Sequence, residues 1–132
     1  MIEIVLDTNV LISGMINAFG APGRIIDRIR EGKIQLVVDD RILAEYNSVI
    51  MRPKFRRYFH TSEARDILLF LEHNSRYVVP TTHVADLPDP DDIPFLEAAL
   101  SADVPLITGN RDDFAADQHP AARIYSPAEF IA

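Results

Sequence analysis

Ile2-Glu3-Ile4-Val5-Leu6 is an aliphatic, β-branched run that stops at a carboxylate, Asp7. A strand this apolar is one covered on both faces, as in a parallel sheet flanked by helices. Thr8 and Asn9 then supply turn and cap chemistry before the next apolar segment. In open parallel sheets, ligands bind beyond the carboxyl ends of the strands. Asp7 is therefore placed where ligands bind, and the rest of the chain is read for other acids brought to the same edge.

Strand and helix patterns alternate from there. Val10 to Ala18 predicts a helix, interrupted by Gly20-Ala21-Pro22-Gly23. Arg24 to Glu31 predicts a second, with Ile25, Ile26 and Ile29 on one face and Gly32 as its stop. Ile34 to Val38 is a strand ending at Asp39-Asp40, both good N-caps. Arg41 to Met51 follows as a helix that Pro53 ends. Thr61 or Ser62 caps a helix to Asn74, and Tyr77-Val78-Val79 is a short strand. A Pro- and Asp-rich loop, Asp86 to Asp92, leads into a helix over Ile93–Ala102, whose Pro94 suits a first turn. Val104–Ile107 and Arg123–Tyr125 are the last strands, and Pro127–Phe130 is a final helical turn. Alternation of this kind predicts an α/β fold with a mainly parallel sheet. At 132 residues, residues 1–132 form one domain, with no repeat or linker to divide it.

Composition narrows the chemistry. There are no cysteines, so disulfides and thiolate metal sites are excluded. No apolar run reaches membrane-span length and the N-terminus has no basic leader, so the expectation is a cytoplasmic protein without a membrane. The net charge of −7 argues against a surface coated with phosphate-binding cations. It leaves room for nucleic acid if the acids are gathered where divalent cations fill their pocket.

The acids fall at four places: Asp7 after the first strand, Glu45 on the shoulder of the third helix's apolar stripe, Asp89, Asp91 and Asp92 before the fifth helix, and Asn110, Asp112 and Asp113 after the fourth strand. Each alone has a plain structural use as cap, turn or solvated helix residue, and Asp112 is expected to face solvent. Together they repel by kilocalories per mole unless they hold protons or a cation. Oxygen donors without Cys point to a hard cation, Mg²⁺ or Mn²⁺, and such cations serve phosphoryl chemistry.

These residues resemble a PIN domain. The matching pieces are Val5-Leu6-Asp7-Thr8-Asn9-Val10-Leu11, Leu43-Ala44-Glu45, Asp89-Pro90-Asp91-Asp92 with Phe95-Leu96-Glu97-Ala98-Ala99, Leu106-Ile107-Thr108-Gly109-Asn110, and Asp113-Phe114. They run from end to end in family order, and the subgroup they look like is that of the prokaryotic VapC-type toxins of toxin–antitoxin pairs. The resemblance implies a Rossmann-like sheet of about five strands in the order 3-2-1-4-5. It implies a Mg²⁺- or Mn²⁺-dependent endoribonuclease in which water attacks the scissile phosphodiester in line. Asp7, Glu45 and Asp92 would be the principal acids. Many PIN domains carry a fourth acid where this chain has Asn110, and the Asn-x-x-Asp-Phe spacing offers Asp113 instead, so both are candidates. Thr8, Asn9, Thr108 and Asp89 would fix the rotamers of these acids.

Arg52, Lys54, Arg56 and Arg57 crowd four cations into six positions, interleaved with Phe55, Tyr58 and Phe59. They are candidates for RNA phosphates, with the aromatics divided between base stacking and core packing. The four histidines share no ligand spacing. The apolar helices of the first half are candidates for a homodimer face or an antitoxin groove, beside their ordinary use as core. Two other acid-based α/β proteins, a Mg²⁺-dependent phosphohydrolase and a receiver domain, are the first alternative. A phosphohydrolase wants a second Asp at position 9, which is Asn, and a receiver domain wants paired acids and a late Lys that are absent. A non-catalytic PIN-fold module binding RNA or protein is the remaining alternative.

Overall fold

Ile4, Val5 and Leu6 have no exposed surface, as a central strand covered on both faces requires. The computed structural model describes residues 1–114 and 119–132. Its elements are β1 (Ile2–Leu6), α1 (Thr8–Ile16), α2 (Ala21–Arg30), β2 (Ile34–Val38), α3 (Asp40–Ile50), α4 (Thr61–Asn74), β3 (Arg76–Tyr77), α5 (Ile93–Ala102), β4 (Leu106–Ile107), β5 (Ile124–Tyr125) and α6 (Pro127–Ile131). Single 3-10 turns occupy Pro53–Phe55, Pro90–Asp92 and Arg111–Phe114.

The sheet has the order β3-β2-β1-β4-β5, with every pair parallel. The order predicted from the resemblance is the one found. Its functional consequence lies at β1. The chain winds outward to β2 and β3 on one side and to β4 and β5 on the other, so β1 ends at the switch point where such sheets open a crevice. The ladder runs one residue beyond the strand, because the Asp7 N–H donates to the Ile107 carbonyl at 2.9 Å. That bond sets Asp7 beside Thr108 at the sheet's carboxyl edge.

Several boundaries differ from the sequence expectation, each for a local reason. The first helix starts at Thr8, two residues early, because Asp7 is still extended (φ −62°, ψ 140°) and is itself the residue before the helix. The Gly-Ala-Pro-Gly run opens α2 rather than breaking the chain, and the break falls at residues 17–20. Pro22 fits a first turn, and Gly23 packs against the connection that precedes α2. A Cβ there would lie 2.5 Å from the Ala18 carbonyl carbon. The third helix begins at Asp40 and ends at Ile50, one residue early at each end, with Asp39 as the cap accepting the Ile42 N–H at 2.9 Å. The fourth is capped from His60, whose N–H donates to Glu63 Oε1 at 3.3 Å. The late strands are shorter than their apolar runs. Val104 closes α5 through the Ala99 carbonyl instead of pairing, after Asp103 has turned left-handed at φ 54°. Val79 is exposed beyond the β3 edge.

Candidate active site

Asp7 is 7% exposed and stands at the N-terminus of α1, where the unpaired N–H groups of the first turn favour negative charge. Thr108, fully buried at the end of β4, donates its hydroxyl to Asp7 Oδ2 at 2.8 Å. The same oxygen of Thr108 accepts the Asn110 N–H at 3.2 Å, which fixes its donating direction. Burial raises the Asp7 pKa above the ordinary carboxylate value. The Thr108 hydroxyl and the amides of Asn9 and Thr8 oppose that rise, and Asp113 adds to it.

Glu45 enters from α3, half-buried, and accepts a short hydrogen bond from the Thr8 hydroxyl. Its pKa is raised by burial and by the charges of Asp7, Asp91 and Asp89, against the pull of Thr8. The neighbouring Tyr46 is fully buried, and its hydroxyl donates to the Leu6 carbonyl at 2.5 Å. This bond locks α3 to β1 one residue from each of the two acids. Tyr46 also packs on Phe95 of α5, ring centres 6.1 Å apart.

The Pro90–Asp92 turn delivers the third acid. Asp89 Oδ1 accepts the Asp91 N–H at 2.9 Å and so shapes the turn. Asp92 then stands at the head of α5, and its pKa is pushed up to about 7. Burial is the largest cause, followed by repulsion from Asp7, Asp89, Asp113 and Glu45. Asp113 sits half-buried in the 3-10 turn after β4, close enough to raise both Asp7 and Asp92. Asn110 is exposed, and its Oδ1 accepts the Asp112 N–H at 3.2 Å, a turn-capping role. Asp112 is exposed.

The donor set is all oxygen, anionic and crowded at one edge, which suits a hard divalent cation. Every resolved shift on Asp7, Glu45 and Asp92 is upward, and each includes repulsion from another acid of the group. A cation between them would remove that cost. Among the described residues, no three acid or His side chains stand close enough to chelate an ion as they are placed. Thus the residues match in chemistry and in edge, and closing around an ion would take side-chain rotation. A cavity of about 430 Å³ lies next door, against Arg41, Tyr77 and Val79, and none of Asp7, Glu45 or Asp92 lines it.

The cationic corner divides. Arg52, Lys54 and Arg57 are exposed. Arg56 donates to the Ile50 carbonyl and to Thr61 and lies over the Phe59 ring, which ties it to the end of α3. Phe59 is buried and stacks on Phe55, whereas Tyr58 is half-exposed beneath Arg57. Arg52 follows α3, the helix that carries Glu45, two residues beyond its end at Ile50. Sequence reasoning passed over Tyr46, Arg41 and Glu97. Glu97 had a signal: a charge inside the apolar run Phe95-Leu96-Glu97-Ala98-Ala99, and it is 5% exposed.

A PIN domain family model matches residues 3–112. The chain belongs to the PIN domain family. An uncharacterized protein of Methanocaldococcus jannaschii, MJ1680, is 36% identical over 112 residues, spanning 84% of this chain and 72% of its own length. Two solved structures share the PIN fold. One is VapBC-1 from nontypeable Haemophilus influenzae, at TM-score 0.63 and 18% identity, covering 97% of this chain and 99% of that one. The other is VapBC2 from Rickettsia felis, bound to a DNA fragment from its promoter, at TM-score 0.57 and 12% identity, covering 96% and 98%. Among the described residues of this PIN domain, no helix is long and apolar enough to cross a membrane.

Proposed function

We propose that this PIN domain is a divalent-cation-dependent endoribonuclease, the toxin of a toxin–antitoxin pair. The observation that carries the reading is the arrival of Asp7, Glu45, Asp92 and Asp113 from four separate elements at one sheet edge, where the pKa values of Asp7, Glu45 and Asp92 are each raised in part by another acid of the group. A bound Mg²⁺ or Mn²⁺ would polarise the phosphate and lower the pKa of a water. Asp7, buried and oriented by Thr108, is the central ligand of this reading, with Asp92 and Asp113 beside it. Asn110 serves through its amide oxygen only if it leaves its turn. Glu45, oriented by Thr8, takes a proton from the attacking water or helps hold the cation. Thr8, Asn9, Thr108 and Asp89 fix the acids from behind. Arg52, Lys54 and Arg57, exposed just beyond the helix that carries Glu45, take phosphates of the RNA, and Arg56 holds their corner in place.

The partner side of the reading is supported by the neighbours, both of which are VapBC proteins. Ile16 and Phe19, at the α1–α2 junction, expose apolar surface that an antitoxin segment or a second copy of the chain would cover.

Cleavage of single-stranded RNA should require Mg²⁺ or Mn²⁺, yield internal cuts, and vanish in Asp7→Asn while the fold is kept. Wild-type protein that cuts no member of a broad RNA panel with either cation would remove the ribonuclease. If a small reading frame lies beside the gene, co-expression with its product should relieve any growth arrest the chain causes.

A further inference from the structure

α3 and α5 carry acids that repel each other. Glu45 on α3 feels Asp89 and Asp91, and Asp92 at the head of α5 feels Glu45. Among the described residues, one ion pair crosses between these helices. Arg41, one turn before Glu45, donates through Nη1 to Glu97 Oε1 at 2.8 Å. The other side of the guanidinium is anchored to the end of β2, with Nη2 and Nε 2.7 and 3.0 Å from Asp39 Oδ2. Glu97 completes the tie with its second oxygen, which accepts the Val84 N–H at 2.9 Å. One turn further along α5, the Ser101 hydroxyl oxygen accepts the N–H groups of Thr81 and Thr82, each at 3.0 Å. The loop that leads to Asp89 is thus fastened to the same face of α5 that reaches Arg41.

Glu97 is buried and Arg41 half-exposed, and an ion pair of this kind is weak evidence of stability, since desolvating the carboxylate offsets much of the attraction. Glu97 interrupts an apolar run to make this one. We propose that the Arg41–Glu97 pair is a strap that holds α3 and α5 together against the repulsion of the acids they carry, so that the site is assembled before a cation enters. Arg41 and Glu97 are positioning residues; they act through Glu45, Asp89 and Asp92. The inference rests on the acid cluster being a cation site, and its test needs no RNA cleavage.

The test uses the full chain in EDTA, with amide hydrogen exchange read over residues 81–97, and Mn²⁺ affinity read separately by calorimetry. Glu97→Gln should speed exchange of the Val84 amide and of the 89–92 turn about tenfold. It should also weaken Mn²⁺ binding by about 10–100-fold. Adding Asp92→Asn, which removes charge from the other end of α5, should restore the lost protection, as repair of a merely structural contact would not. The strap is overturned if Glu97→Gln leaves protection and Mn²⁺ affinity unchanged, or if Asp92→Asn fails to restore protection. Should Glu97→Gln not fold, Arg41→Gln, whose side chain is half-exposed, carries the same two expectations. A wild type that binds Mn²⁺ but cuts no RNA removes the ribonuclease and leaves the strap; one that binds no Mn²⁺ removes the cation site, and the exchange arm still decides the strap.

Discussion

Thr108 shows how one hydroxyl governs an acid. It is fully buried, its oxygen is occupied by the Asn110 N–H, and its proton therefore points at Asp7. Thr108→Val keeps the shape and removes that donor. Loss of the bond raises the Asp7 pKa further and frees its rotamer. We expect cation affinity or cleavage to fall about 10–100-fold, measured by Mn²⁺ calorimetry and by initial rates, with little change in fold. Unchanged affinity and rate would show that the hydroxyl does not orient Asp7. At this scale the sequence exposes which residues are acids but not what else contacts them. Asp7 and Glu45 could be picked out from their positions on a strand end and a helix shoulder. Tyr46 could not, because its value lies in a bond to the Leu6 carbonyl, forty residues away. The choice between Asn110 and Asp113 was equally hidden. In the proposed site, Asn110 Oδ1 accepting the Asp112 N–H is what favours Asp113, and a spacing of three residues does not reveal that bond.

Elements were easier to find than to bound. Five strands and the helices between them follow from apolar periodicity, since a buried parallel strand and an amphipathic helix leave different patterns. Their ends are set by tertiary demands. The Gly-Ala-Pro-Gly run is the case in point. As sequence it is a break, because Gly and Pro both disfavour helix interiors. In the fold, Pro22 occupies a first turn, and Gly23 lets the start of α2 lie so close to the connection before it that a Cβ would meet the Ala18 backbone, 2.5 Å from its carbonyl carbon and 2.7 Å from its Cα. Backbone atoms cannot swing away as a flexible side chain can. Gly23→Ala therefore displaces the Ala18 backbone from the start of α2 although alanine is the better helix former. We expect a loss of about 1–3 kcal/mol in urea denaturation, where propensity alone predicts a gain of about 0.5–1 kcal/mol. A stabilised variant would mean that the connection at Ala18 yields easily.

Charge is the property that belongs to the whole molecule. Six of its twenty acids, Asp7, Glu45, Asp89, Asp91, Asp92 and Asp113, belong to one mutually repelling group. The others nearly balance the thirteen basic residues, so the net charge of −7 is largely the charge of the site. An acidic total is then no argument against a polyanionic substrate, because the excess lies where a cation would sit. Stability should register the same fact. Asp92 has its pKa pushed up to about 7 from an ordinary value of 3.8, and Asp7 and Glu45 shift the same way. Between those limits the folded chain binds more protons than the unfolded one, so stability falls as pH rises. Glu97 is shifted downward and acts with the opposite sign, but its stability is lost only as pH falls below its ordinary value of 4.5 and through its lowered pKa. In EDTA, the protein should therefore be more stable at about pH 5.5 than at about pH 8. Asp92→Asn should flatten that slope. Mn²⁺ at the higher pH should restore the lost stability in proportion to the logarithm of its concentration above Kd. Urea midpoints at the two pH values, with and without the cation, decide the matter. A slope that persists unchanged in Asp92→Asn would place the pH sensitivity outside the acid cluster.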